Sequence, residues 1–210
     1  MKLYIISGLG ADKKILEKLV FNSGIEPVHI PCLIPEKDEN FYNYVQKIAE
    51  KIDDSEEFYL LGYSFGGILV QEIHKIKPAK KVVILGSIRS DHEKSKLMKI
   101  CKKIGFVKYL PLRIFSSPIF YSFLKKIFDS ENPMLMQYFQ MKDPYYLKWS
   151  INRILQWKSD ETDGVIQILA DKDIIFPLKN SRPDFVIKNA THLFPITKHR
   201  EVSKILETVF

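Results

Sequence analysis

Short runs of consecutive apolar residues alternate along this chain with stretches in which apolar side chains recur every three or four positions. Residues 3–7 form an apolar, β-rich run that ends in Gly8-Leu9-Gly10, which reads as a buried strand followed by a tight loop. Ile15, Leu16, Leu19 and Val20 then fall at helical spacing behind Asp12 in N-cap position, predicting a helix over 12–21. A second strand is expected at 28–30, and Phe41, Tyr44, Val45, Ile48 and Ile52 mark a helical stripe. Residues 58–61 read as a third strand that runs into Gly62-Tyr63-Ser64-Phe65-Gly66-Gly67. A helix follows with Ile68, Leu69, Ile73 and Ile76, stopped by Pro78. Residues 81–85 give a fourth strand, continuously apolar from Val82 to Leu85. Runs that are apolar on both faces suit a parallel sheet covered on both sides by helices, and the alternation of strand and helix places the chain in the α/β class.

The rhythm changes after residue 90. Up to residue 159 no strand pattern occurs, and helices are expected at 91–104, 117–128, 132–141 and 144–157, punctuated by Pro111, Pro118, Pro133 and Pro144. This stretch is rich in aromatics from Phe106 to Trp157. The strand pattern returns at 165–169 and 184–188, and a closing helix is expected over 198–209. The reading is one domain of about six mostly parallel strands, with a core of residues 1–89 and 160–210 and a helical cap inserted at 90–159.

Composition narrows the function classes. With 210 residues, 46% apolar and 27% charged, the chain can bury a sizeable core and is not of the disordered class. Two cysteines, Cys32 and Cys101, support neither a disulfide framework nor a Cys-rich zinc site. The net charge of +7 raises the question of nucleic acid, but the lysine pairs (Lys13 and Lys14, Lys80 and Lys81, Lys102 and Lys103, Lys125 and Lys126) recur in many segments and read as solvated faces. No nucleic-acid partner is expected. No apolar run approaches a membrane span and no targeting segment opens the chain, so the expected location is cytoplasmic.

The chemistry begins at Gly62-Tyr63-Ser64-Phe65-Gly66, a G-x-S-x-G string between a strand and a helix. A turn this tight strains the serine backbone, and side chains at the flanking glycines would collide with strand and helix. It aims Ser64 Oγ away from the sheet at a helix N-terminus, where partial positive charge favours a developing anion. A serine hydroxyl needs a base to take its proton. Asp171 and Asp173 follow the fifth strand and His192 follows the sixth, the order Ser…Asp…His. His192 is the expected base and Asp173 the expected orienting acid, with Asp171 as the competing carboxylate. No dinucleotide fingerprint follows Gly8-Leu9-Gly10, since Lys13 stands where the third glycine belongs, and neither a Walker A nor an HExxH motif occurs. No cofactor or metal is expected.

Ser7-Gly8-Leu9-Gly10, Gly62 to Gly67, Asp173-Ile174-Ile175-Phe176-Pro177 and Thr191-His192-Leu193-Phe194 together resemble the α/β-hydrolase family, across residues 1–90 and 160–210. The opening Gly-Leu-Gly-Ala-Asp-Lys and the Leu147 to Asn152 stretch are similar to small, mostly uncharacterised bacterial hydrolases. The resemblance implies a Ser-Asp-His triad, no cofactor, and an oxyanion hole built from the Leu9 and Phe65 backbone N–H groups. It also implies loss of the first two strands of the family's eight. The chain departs at Ser7, where His is common before the glycine, at Ala190-Thr191, where Gly-Gly is usual, and at Ala170, where Gly is usual. The expected function is a serine esterase or thioesterase acting on a small acyl substrate, with an acyl carrier protein as a candidate partner for the basic surface. A non-catalytic binding protein on the same scaffold is the alternative.

Overall fold

The computed structural model describes residues 1–128, 135–160 and 164–210. Six strands, β1 (Lys2–Ile6), β2 (Glu26–Ile30), β3 (Tyr59–Tyr63), β4 (Lys81–Leu85), β5 (Val165–Ala170) and β6 (Phe185–Ile187), make one sheet in the order β2-β1-β3-β4-β5-β6, and every pairing is parallel. β1, β3 and β4 lie in its centre and are buried nearly throughout, which is what their unbroken apolar runs require when helices cover both faces. The chain runs from β1 outward to β2 and then crosses back to β3, so the direction of strand progression reverses between β1 and β3. The crevice beyond the carboxyl ends of strands at such a reversal is where open α/β sheets hold ligands. Register sets that crevice at one level, because Ile6 pairs with Gly62 and Tyr63 with Leu85.

Helix α1 (Phe41–Ala49) starts at Asn40, whose Oδ1 accepts from the Asn43 N–H at 2.8 Å, and buries Tyr44, Val45 and Ile48. It packs on α2 (Phe65–Ile76), which lies against β1, β3 and β4. Between β4 and β5 stand α3 (Lys96–Ile104), α4 (Phe106–Tyr109), α5 (Pro118–Phe128) and α6 (Pro144–Gln156); α7 (Phe194–Thr197) and α8 (His199–Val209) close the chain.

Three helical expectations change. The helix over 12–21 shrinks to a 3-10 turn at Lys13–Ile15. A tertiary partner claims a backbone group a helix would use, since the Val20 N–H donates to Ser203 Oγ at 2.9 Å, and Asn22 Nδ2 beyond it donates to the Glu207 carbonyl at 2.7 Å. The helix expected over 91–104 begins only at Lys96. Glu93 and Lys94 turn inward to bond the core, and Ser95 Oγ then accepts from the Met98 N–H to start α3 afresh. Of the helix expected at 132–141, residues 132–134, including Pro133, lie outside the described residues, and Leu135–Tyr138 form a 3-10 turn. There the Tyr138 carbonyl accepts from the Asp12 N–H at 3.0 Å, the Met141 N–H donates to the Gly10 carbonyl at 3.1 Å, and Phe139 bridges Ala11. The segment is spent on holding the loop after β1.

Candidate active site

The turn from β3 into α2 carries Ser64 at φ 54° and ψ −117°, a left-handed backbone that costs a residue with a side chain of order 1–3 kcal/mol. Its neighbours make this turn possible. A Cβ at Gly62 would stand 2.3 Å from the Gly66 carbonyl oxygen, and one at Gly66 would stand 2.1 Å from the Ile6 carbonyl oxygen. The Ser64 N–H donates to the Leu85 carbonyl at 2.9 Å, tying the turn to β4. Phe65 is the first residue of α2, so its N–H has no acceptor within the helix.

His192 and Asp173 reach Ser64 from the two loops after β6 and β5. The Ser64 hydroxyl lies 3.0 Å from His192 Nε2, and His192 Nδ1 lies 2.7 Å from Asp173 Oδ2. An ionised carboxylate only accepts, so Nδ1 carries the proton and Nε2 is left to accept from the serine hydroxyl. The other oxygen of Asp173 accepts from the N–H groups of Ile175 at 2.8 Å and Phe176 at 3.1 Å, which fixes the carboxylate plane. All three side chains are buried.

Asp171 sits elsewhere. Its Oδ1 accepts from the Ala190 N–H at 3.2 Å, while the Lys172 N–H donates to the Ala190 carbonyl at 3.0 Å. Bonds from the Asn189 and Ala190 N–H groups hold its carboxyl below the usual carboxylate range. Asp171 ties the two loops together while Asp173 meets the imidazole. Of the other histidines, His74 Nδ1 accepts from the Ala79 N–H and His199 Nδ1 lies 3.1 Å from the Ile196 carbonyl. The loop after β1 packs on the serine so closely that a Cβ at Gly8 would stand 3.0 Å from Ser64 Cβ. Leu9 follows it and is buried. Ser7, which stands where the family commonly has His, donates its hydroxyl to the Ala11 carbonyl at 2.7 Å, bracing this loop from within.

Sequence reasoning passed over four groups around the imidazole. Tyr63 donates its hydroxyl to the His192 carbonyl at 3.0 Å, and burial, with the Asp173 charge adding, pushes its phenol well above the ordinary range, so it stays neutral. Gly86, at φ 53°, leaves space that a Cβ would fill 3.3 Å from the ring of His192. Phe128 of α5 meets the imidazole edge-on at 5.0 Å between ring centroids, and Phe176 lies at 6.0 Å. Adjacency to Ser64 and the end of β4 mark Tyr63 and Gly86 in the sequence; nothing local marks Phe128. A cavity of about 450 Å³ opens beside the same β1 loop, with Ser7, Lys13, His29, Cys32 and Met141 among its lining residues. Among the described residues, no group of three or more His, Cys, Asp or Glu side chains is placed to hold a metal ion.

Known structures share this arrangement of strands. A lipase-esterase related protein from Clostridium acetobutylicum superposes with a TM-score of 0.64 at 17% identity, over 100% of this chain and 94% of its own. A thermophilic esterase from Thermogutta terrifontis, with malate bound, gives 0.68 at 11% identity, over 98% of this chain and 88% of its own. The chain has the α/β-hydrolase fold. The thioesterase RedJ from the prodiginine biosynthetic pathway in Streptomyces coelicolor shares the fold as well, with a TM-score of 0.61 at 13% identity, over 97% of this chain and 84% of its own. No protein-family model and no curated protein sequence matches the chain. Among the described residues, no helix of this fold is long and apolar enough to cross a membrane.

Proposed function

We propose that the chain is a serine hydrolase cleaving ester or thioester bonds of an acyl substrate. The observation that carries the reading is the row Asp173–His192–Ser64, with contacts of 2.7 and 3.0 Å, ending at a strained serine on a helix N-terminus. Ser64 Oγ attacks the carbonyl carbon as His192 Nε2 takes its proton. Asp173 holds the imidazole in the accepting tautomer and stabilises the imidazolium. The oxyanion receives hydrogen bonds from the Phe65 and Leu9 N–H groups, which need no reorganisation because the backbone already holds them. His192 returns the proton to the departing alcohol or thiol, and water, activated by the same imidazole, releases the acid from the acyl-serine. Phe128 of the cap, whose ring meets the imidazole of His192, supplies a wall for the acyl group.

The alternative, a non-catalytic binding protein on this scaffold, has one observation in its favour: Ser64 is only 5% exposed. A fluorophosphonate probe separates the two. Wild type labels and Ser64→Ala does not if the serine is activated, and hydrolysis of p-nitrophenyl esters falls by about 10⁴-fold or more in the variant. A folded wild type that neither labels nor hydrolyses overturns the hydrolase reading.

A further inference from the structure

The chain's positive charge is less scattered than its lysine pairs suggest. Residues 94–128 hold nine of the 32 Lys and Arg residues and none of the 25 Asp and Glu, so the remainder of the chain is slightly acidic. Of these nine, Lys94 is buried; among the described residues only Lys102 forms an ion pair, with Asp91 at 3.7 Å. The same 35 residues carry eight of the thirteen large apolar side chains that stand exposed among the described residues: Leu97, Ile100, Ile104, Phe106, Tyr109, Leu112, Ile119 and Phe123.

Helix α3 shows how they are arranged. It contributes no fully buried residue, packs against α6, and leaves Met98, Cys101 and Lys102 half-buried. Leu97, Ile100 and Ile104 recur at i, i+3 and i+7 on its outward side, bordered by Lys96, Lys99 and Lys103. This apolar stripe contributes little to folding. The pattern continues through α4 and α5, where Tyr109 and Ile119 are 83% and 81% exposed. Ile119 and Phe123, one turn apart, face outward while Phe120 and Leu124 face the core.

We propose that residues 94–128 form a docking face for an anionic lipid surface. Protruding apolar side chains on several successive short helices would enter the boundary between headgroups and acyl chains, and the flanking lysines would meet phosphates. Charge complementarity and protrusion both favour this occupant. A folded acidic protein rewards such side chains only through matching pockets, whereas a fluid bilayer receives them wherever they fall. Helix α5 links the face to the site, for it carries Ile119 in its first turn and ends with Phe128 against the imidazole of His192. Docking stands independently of the hydrolase reading; that the acyl substrate is drawn from the bilayer rests on it.

The test is flotation of the full chain with vesicles of phosphatidylcholine containing about one-third phosphatidylglycerol, compared with pure phosphatidylcholine. The expected result is binding to anionic vesicles at least about tenfold tighter than to neutral ones, and weaker as salt rises. Lys99→Glu with Lys103→Glu, and separately Tyr109→Ser with Ile119→Ser, should each weaken it by about tenfold or more. Both pairs of substitutions lie on the surface and should leave melting temperature and hydrolysis of a soluble ester unchanged. Ser64→Ala should still float, so loss of activity and loss of docking are read separately. Absence of binding to anionic vesicles overturns the proposal. So does binding that the lysine pair weakens and the apolar pair does not, which marks an electrostatic contact alone. A saturable complex with a lipid-free acidic acyl carrier protein, with vesicles left unbound, assigns the face to that partner instead.

Discussion

Replacing Asp173 by Asn tests the proposed division of labour at the site, because the consequence can be worked out atom by atom. Asp173 Oδ1 accepts from two backbone N–H groups, those of Ile175 and Phe176, at 2.8 and 3.1 Å. An asparagine keeps those bonds by placing its carbonyl oxygen there, which turns its amide NH₂ toward His192 Nδ1. Two donors would then face each other across the 2.7 Å now spanned by the Nδ1–H bond to Oδ2. The imidazole relieves the conflict by moving its proton to Nε2. That nitrogen, 3.0 Å from Ser64 Oγ, then donates where it must accept, and the serine proton has nowhere to go. The fold should survive, since the change is isosteric and every backbone bond remains.

The expected loss is about 10⁴-fold in kcat, roughly 5.5 kcal/mol of transition-state stabilisation. The assay is hydrolysis of a p-nitrophenyl ester by wild type and variant, with thermal melting as the fold control. Asp171→Asn is the internal comparison, because Asp171 braces Ala190 and does not meet the ring; its kcat should fall far less than that of the Asp173 variant. A fall of less than about tenfold for Asp173→Asn in a folded variant would refute the assignment of Asp173 as the orienting carboxylate. A larger loss in Asp171→Asn at unchanged stability would transfer that role to Asp171.

Two further outcomes concern stability. Gly66→Ala places a methyl group 2.1 Å from the Ile6 carbonyl oxygen, between backbones that cannot separate without parting α2 from β1; chemical denaturation should show a loss of about 3 kcal/mol or more, and a neutral result would deny the close approach. Lys94 is 1% exposed, its ammonium donates to the Leu155 and Trp157 carbonyls at the end of α6, and burial lowers its pKa to about 8. Because the folded value lies below the ordinary one of 10.5, the unfolded chain binds more protons between those two values, and stability rises with pH there. The cost of the buried charge is complete below about pH 8 and relieved above it, so wild type should gain roughly 2 kcal/mol relative to Lys94→Met between about pH 7 and pH 9.5. Parallel pH profiles for the two proteins would show that the ammonium is solvated.

The parts of this molecule that were legible in the sequence are those where a short stretch carries its own constraint. The strands were readable because both-face burial leaves no polar position, as in Val82 to Leu85. The turn at Ser64 was readable because only glycine fits at positions 62 and 66, where a Cβ would stand 2.3 and 2.1 Å from a backbone carbonyl oxygen. The departures from that reading share one cause, which is that a polar group's partner lies far off in the chain. The helix over 12–21 failed because Val20 bonds Ser203, 183 residues away. At 91–104 the backbone leaves the helical region at Lys94, whose ammonium is drawn inward to Leu155, 61 residues away, and α3 starts afresh at Ser95. In each case the apolar positions alone gave the wrong element, because a polar group of the segment is held by a partner elsewhere in the fold.

Phe128 belongs with these, since nothing around it in sequence points to an imidazole 64 positions later, yet its ring meets that of His192 at 5.0 Å. The surface of the same segment differs again: its charge and apolar side chains stand in the sequence for anyone to count, but only exposure separates an apolar residue spent on the core, such as Phe120, from its neighbour Ile119, which is not. Core and crevice are therefore encoded by spacing, whereas the outward face of the helical segment is encoded by what folding leaves unburied. That difference is why sequence alone led to Ser64 and passed over the face at 94–128.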